Sequence, residues 1–116
     1  NVSTENNGGF IQIRRDLKNI NLNEAQYVNI IARGNNQKYF IFLRTTGTIL
    51  PWQYYSSQFE VTDEFEEFIL PIDEFKKSGV LMIGKVNPKN ITSIGIVAFG
   101  RDHQAELYVR KIEFKR

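Results

Sequence analysis

"QYVNIIARGNNQKYFIFLRT", residues 26–45, decides the fold. Its first half alternates, with Val28, Ile30 and Ala32 on one side and Tyr27, Asn29 and Ile31 on the other, the period of a half-buried strand. Gly34-Asn35-Asn36 then supplies residues that tolerate the backbone of a tight turn. The second half, 37–45, is apolar on both faces, which predicts a central strand covered on both sides. Two such runs joined through a short Gly-Asn-Asn segment predict a β-hairpin.

The same period extends outward from this pair. "GFIQIRRD" (9–16) places Ile11 and Ile13 on one face and Gln12 and Arg14 on the other. Arg15 shares the apolar face but lies at the strand end, where its head reaches water. Before it, Asn6-Asn7-Gly8-Gly9 suits a bend or bulge leading into the strand rather than a phosphate loop, because no lysine followed by Ser or Thr and no helix comes after it. "WQYYSSQFEV" (52–61) follows Pro51, which favours an extended start, and "FEEFILP" (65–71) stops at Pro71. "IDEFKKSG" (72–79) predicts one helical turn closed by Gly79. "NPKNITSIGIVAFG" (87–100) gives a turn and a strand. In "AELYVRKIEFKR" (105–116), Leu107 and Val109 alternate and either Ile112 or Phe114 completes the inner row after a small shift. About seven short strands at roughly ten-residue spacing, with little helix, predict a single all-β sandwich domain.

Composition narrows the chemistry. The 116 residues suffice for one domain that buries roughly two-thirds of its unfolded surface. No cysteine is present, which removes disulfides, thiol catalysis and Cys-built zinc sites. The 15 basic and 13 acidic side chains are interspersed, so no polybasic arm points to nucleic acid. No apolar run reaches the ~18–20 residues that span a bilayer, and no signal peptide opens the chain. His103 is the only histidine, so a metal site with two His ligands within the chain is excluded and no nucleophile motif accompanies it. Asp63, Glu64, Glu66 and Glu67 read as a charged turn, because Glu66 and Glu67 point to opposite faces of a strand. "NVS" (1–3) and "NIT" (90–92) match the glycosylation pattern but are short enough to arise by chance. The expectation is no enzyme, no cofactor and no bound metal.

Several anchors then fall into a familiar order: "STENNGGF…R" at 3–14, "RG" at 33–34, "YFIFLRT" at 39–45, Tyr55 and Phe59, Pro71 and Phe75, "NPKNITSIGI" at 87–96, and Leu107, Val109 and Ile112 at the end. This series resembles the complex I intermediate-associated protein 30 domain and covers nearly the whole chain. The resemblance implies a galactose-binding-like jelly-roll β-sandwich without catalysis. It also implies a protein partner, since mitochondrial members assist assembly of respiratory complex I, and the related fold of carbohydrate-binding modules brings in sugar as the alternative ligand. A soluble domain is implied, cytoplasmic in a bacterium and mitochondrial in a eukaryote. The family's upstream Gly-Gly-x-Ser segment does not occur, so the chain reads as the family domain without its N-terminal part. An edge strand left unpaired would then be a template for a homo-oligomer. Phe65 stands where the family often has tryptophan, and "RDHQAEL" lacks an expected glycine.

The resemblance assigns Tyr55 and Phe59 to the core, which turns Trp52, Tyr54 and Gln58 to the other face. If Phe40 and Phe42 also point away from the core, Arg44 joins that face near its rim. The expected binding set is therefore Gln12, Arg14, Arg44, Trp52, Tyr54 and Gln58. Aromatics beside arginines and amides suit a protein hot spot or the C–H face of a sugar. The plain alternative is that Trp52 packs on a loop and the arginines pair with Asp16 or Glu60.

Overall fold

The computed structural model describes residues 10–17, 22–34, 38–50, 52–82, 84–99 and 107–116. The Asn6–Gly9 bend and His103 lie outside them. Among the described residues eight strands run in chain order: β1 Phe10–Asp16, β2 Tyr27–Gly34, β3 Lys38–Thr45, β4 Tyr55–Glu60, β5 Glu66–Pro71, β6 Lys76–Lys77, β7 Ile91–Phe99 and β8 Leu107–Lys115. They form a five-stranded sheet in the order β1-β7-β3-β4-β6 and a three-stranded sheet in the order β5-β2-β8, every pairing antiparallel. The result is the jelly-roll β-sandwich that the strand spacing and the resemblance predict.

The expected hairpin does not form. β2 belongs to the small sheet and β3 to the large one, so the two strands are not paired with each other. Alternation requires only that each strand bury one face. Two strands on facing sheets satisfy that as well as two neighbours do, and Greek-key connections use this freedom. The connection from β4 to β5 lies beside the end of β2: the Gly34 amide donates to the Thr62 carbonyl at 2.7 Å.

Inner rows are set by period two. Val28, Ile30 and Ala32 of β2 face Tyr39, Ile41 and Leu43 of β3, with Ile94, Ile96 and Ala98 of β7 and Tyr55 and Phe59 of β4 completing the core. The predicted shift in the last strand is a β-bulge. Ala32 pairs with Val109 and Ile31 with Lys111, so Arg110 is the extra residue; Ile112 and Phe114 then lie opposite Ile30 and Val28, and of the two Phe114 packs against the core while Ile112 stays exposed. The predicted helical turn at 72–79 is shorter, a 3-10 turn at Ile72–Glu74, because the chain resumes as β6 against β4. Phe65 lies between two cations, with the Arg33 guanidinium 5.3 Å and that of Arg110 3.9 Å from its ring, and Arg33 also covers Tyr108 at 4.4 Å.

On the outer side of the small sheet Asn29 is only 8% exposed. Its amide nitrogen donates to Glu67 at 3.3 Å, and its Oδ1 has no partner among the described residues. A buried acceptor without a donor opposes folding. Asn29→Val is therefore expected to raise stability by about 1 kcal/mol, read as a higher urea midpoint at unchanged slope.

Candidate functional site

The candidate site is the outer face of the five-stranded sheet. Phe40, Phe42 and Arg44 alternate with the buried Tyr39, Ile41 and Leu43, so all three point away from the core and are half-buried. The expectation that β3 is covered on both sides is therefore met on one side by the second sheet and on the other only by neighbouring side chains.

Register arranges this face in rows. One runs Gln12–Val97–Phe40–Gln58 across β1, β7, β3 and β4, and the next runs Arg14–Gly95–Phe42–Ser56. A third begins Asp16–Ser93–Arg44. By register, positions 12 and 14 of β1 thus fall in the rows of Phe40 and Phe42, with β7 between, and Gly95 of β7 contributes no side chain. Val97 is buried yet stands outside the main core, as its outward position requires.

Aromatic contacts organise the β3–β4 side. Tyr54 lies on Phe42 with ring centroids 4.0 Å apart and planes 10° apart, and Phe42 meets Phe40 edge-on at 6.4 Å. Gln58 is exposed opposite Phe40. Sequence reasoning placed Tyr54 and Gln58 on this face but left Phe40 and Phe42 conditional. Their exchange with fully buried odd-numbered neighbours was the available signal.

Arg44 has a structural task. Its Nη2 donates to the carbonyls of Thr48 and Leu50, each at 3.0 Å, closing the 45–50 loop over the strand end. Arg44→Ala is expected to cost about 1–2 kcal/mol, because two carbonyls lose a charged donor. Hydrogen exchange should quicken in residues 45–50 before it does elsewhere. Trp52 stands apart from the aromatic row, in the turn before β4, with 66% of its surface exposed. Its carbonyl accepts from Ser78 Oγ at 2.8 Å.

Among the described residues no group of three or more His, Asp or Glu converges as a metal site. Glu66 accepts from Thr62 Oγ1 at 2.9 Å while Glu67 accepts from Asn29, so the acidic turn diverges as its strand parity predicts. A recess of about 600 Å³ lies elsewhere, against Tyr27, Pro71, Asp73, Val86 and Pro88.

The family model for complex I intermediate-associated protein 30 matches residues 1–109. The chain belongs to that family. No curated protein matches the sequence. Among solved structures, this family member is similar to the family 11 carbohydrate-binding module of a cellulosomal cellulase of Clostridium thermocellum. The TM-score is 0.72 at 12% identity, over 95% of this chain and 71% of the module. A structure of the Clostridium thermocellum module in complex with a β-1,3-1,4-mixed-linked tetrasaccharide gives the same TM-score of 0.72, at 11% identity over 95% and 72%. At such identities the likeness establishes a shared sandwich and nothing about ligands. This family member and these modules thus share one architecture.

Proposed function

We propose that this chain is a non-catalytic, protein-binding module of the assembly-factor kind, which holds a subunit of a partly built membrane enzyme against the outer face of its five-stranded sheet. Family membership over residues 1–109 supports the class of task. The observation that carries the reading is the flush stack of Tyr54 on Phe42. One face of the tyrosine is consumed by its neighbour, and the joined rings make a broad apolar strip edged by Gln58 and Ser56 rather than a free ring beside an open cleft. Protein hot spots take that form, large aromatics surrounded by polar side chains. The binding residues are Gln12, Arg14, Tyr54 and Gln58 with Phe40 and Phe42, while Arg44 supports the adjoining loop and Trp52 flanks it.

Carbohydrate binding through the same face is the second reading. It is favoured by the sandwich shared with a module solved in complex with a mixed-linked tetrasaccharide.

An affinity pull-down from lysate of the native host tests both. Wild-type bait is expected to recover respiratory-enzyme subunits, and Tyr54→Ala with Gln58→Ala is expected to lose them. Equal recovery by the two baits would keep the function and overturn the face. An empty pull-down with retention on an array of mixed-linked glucans would replace the first reading by the second.

A further inference from the structure

Five large apolar side chains project from two loops at the β6 end of the sandwich. In the loop before β4 these are Ile49, 83% exposed, with Leu50 and Trp52 beside it. After β6 they are Val80 and Leu81, 87% and 96% exposed. No other described segment exposes more than one large apolar residue. Together they present on the order of several hundred Å² of apolar surface, the scale at which a patch ceases to be ordinary protein exterior.

The two loops form one ledge. Ser78 stitches them: its Oγ donates to the Trp52 carbonyl at 2.8 Å, the Tyr54 amide donates to that Oγ at 3.1 Å, and the Ser78 amide donates to the Tyr54 carbonyl at 2.9 Å. Gln53 Oε1 accepts from the amides of Ile49 and Leu50 at 2.9 and 3.0 Å. Lys77 Nζ donates to the carbonyls of Val80 and Met82 at 3.3 and 3.2 Å. Backbone polar groups that would otherwise have to stay hydrated are thus occupied from within, and the apolar tips are held outward.

The charged side chains that flank the ledge in sequence have one sign, Lys76 and Lys77 standing directly before Ser78. Residues 41–59 and 75–99 contain Arg44, Lys76, Lys77, Lys85 and Lys89 and no carboxylate. The four lysines are exposed. At the opposite end of β4 stand Glu60, Asp63, Glu64, Glu66 and Glu67. Asp73 and Glu74, the nearest acids in sequence, line a recess with Tyr27, Val86 and Pro88.

We infer that the Ile49–Trp52 and Val80–Leu81 loops dock the domain onto an anionic bilayer surface. Aliphatic tips enter the headgroup boundary, Trp52 lies at the interface that indole rings prefer, and the lysines face the anionic headgroups. The acidic end points away from the membrane by the same electrostatics. The strip of Phe40, Phe42 and Tyr54 lies on the sheet face rather than in the ledge. The inference uses different side chains from the proposed function and stands or falls without it.

Trp52 is the chain's only tryptophan, so its fluorescence reports the event without any added label. The protein is titrated with vesicles of phosphatidylcholine alone and of phosphatidylcholine with phosphatidylglycerol, and bound protein is measured by flotation. Anionic vesicles are expected to shift Trp52 emission to the blue, and brominated acyl chains to quench it. Each lysine near the surface contributes about a fivefold factor in partitioning, so Lys85→Gln with Lys89→Gln should weaken binding by roughly 25-fold. Added salt should weaken it as well. Val80→Asp with Leu81→Asp should abolish the shift, with unchanged circular dichroism because both positions are exposed. Unshifted emission at saturating anionic lipid would overturn the inference. So would equal binding to neutral vesicles, equal binding by the aspartate variant, or a ledge that ignores vesicles and retains a protein partner.

Discussion

Phe59→Ala should lower the stability of the domain by about 3–5 kcal/mol. Phe59 is the clasp between the two sheets. Its ring stacks on Tyr39 of β3 at 6.0 Å and meets Phe68 of β5 at 5.1 Å. Truncation removes the largest group bridging that end of the core and leaves a cavity that β-strands, fixed by their ladders, cannot close. Against the 5–15 kcal/mol typical of a domain this is a large share. The guanidinium midpoint should fall in proportion, and a double-mutant cycle with Phe68→Ala should show a coupling above about 0.5 kcal/mol. Independent losses at the two positions would mean that the sheets are not joined there.

Ile41→Asp is expected to prevent folding altogether. Ile41 is fully buried in the middle of β3, paired with Ile96 on one side and Ser57 on the other. No cation reaches that layer among the described residues, so the carboxylate would be buried without a partner, at more than about 4 kcal/mol. The same replacement one residue earlier, at half-buried Phe40, should cost only about 1–2 kcal/mol because that face opens to water. Soluble yield and a far-ultraviolet spectrum distinguish the outcomes at once. Equal damage at both positions would sink the assignment of inner and outer faces, and with it the candidate site.

Strands and their faces were legible in the sequence because period two is a local signal. Val28, Ile30 and Ala32 report one buried side whatever lies opposite. Which sheet a strand joins is not local, and so the Gly34-Asn35-Asn36 segment suggested a hairpin although β2 and β3 belong to different sheets. The bulge at Arg110 was foreseen as a shift, since the apolar residues of β8 change parity there. The outward placement of Tyr54 and Gln58 follows from parity once the resemblance puts Tyr55 and Phe59 in the core. The bonds of Arg44 to the Thr48 and Leu50 carbonyls could not be, because a loop that folds back on its own strand leaves no periodic trace. The ledge was invisible for a similar reason: Trp52 and Leu81 are 29 positions apart and are joined only through Ser78.

The strand order also carries a consequence for biosynthesis. β7 is inserted between β1 and β3, and β8 completes the small sheet against β2. As the chain leaves the ribosome, its first strand therefore has no neighbour to pair with until residues 91–99 have emerged. β2 keeps one open edge until residues 107–115 arrive. β3 can pair with β4 and β2 with β5 as soon as residue 71 has emerged, but each sheet keeps an open edge, rich in β-branched and aromatic residues, until the late strands close it. A truncation that removes the last strand would leave a template for aggregation rather than a smaller domain.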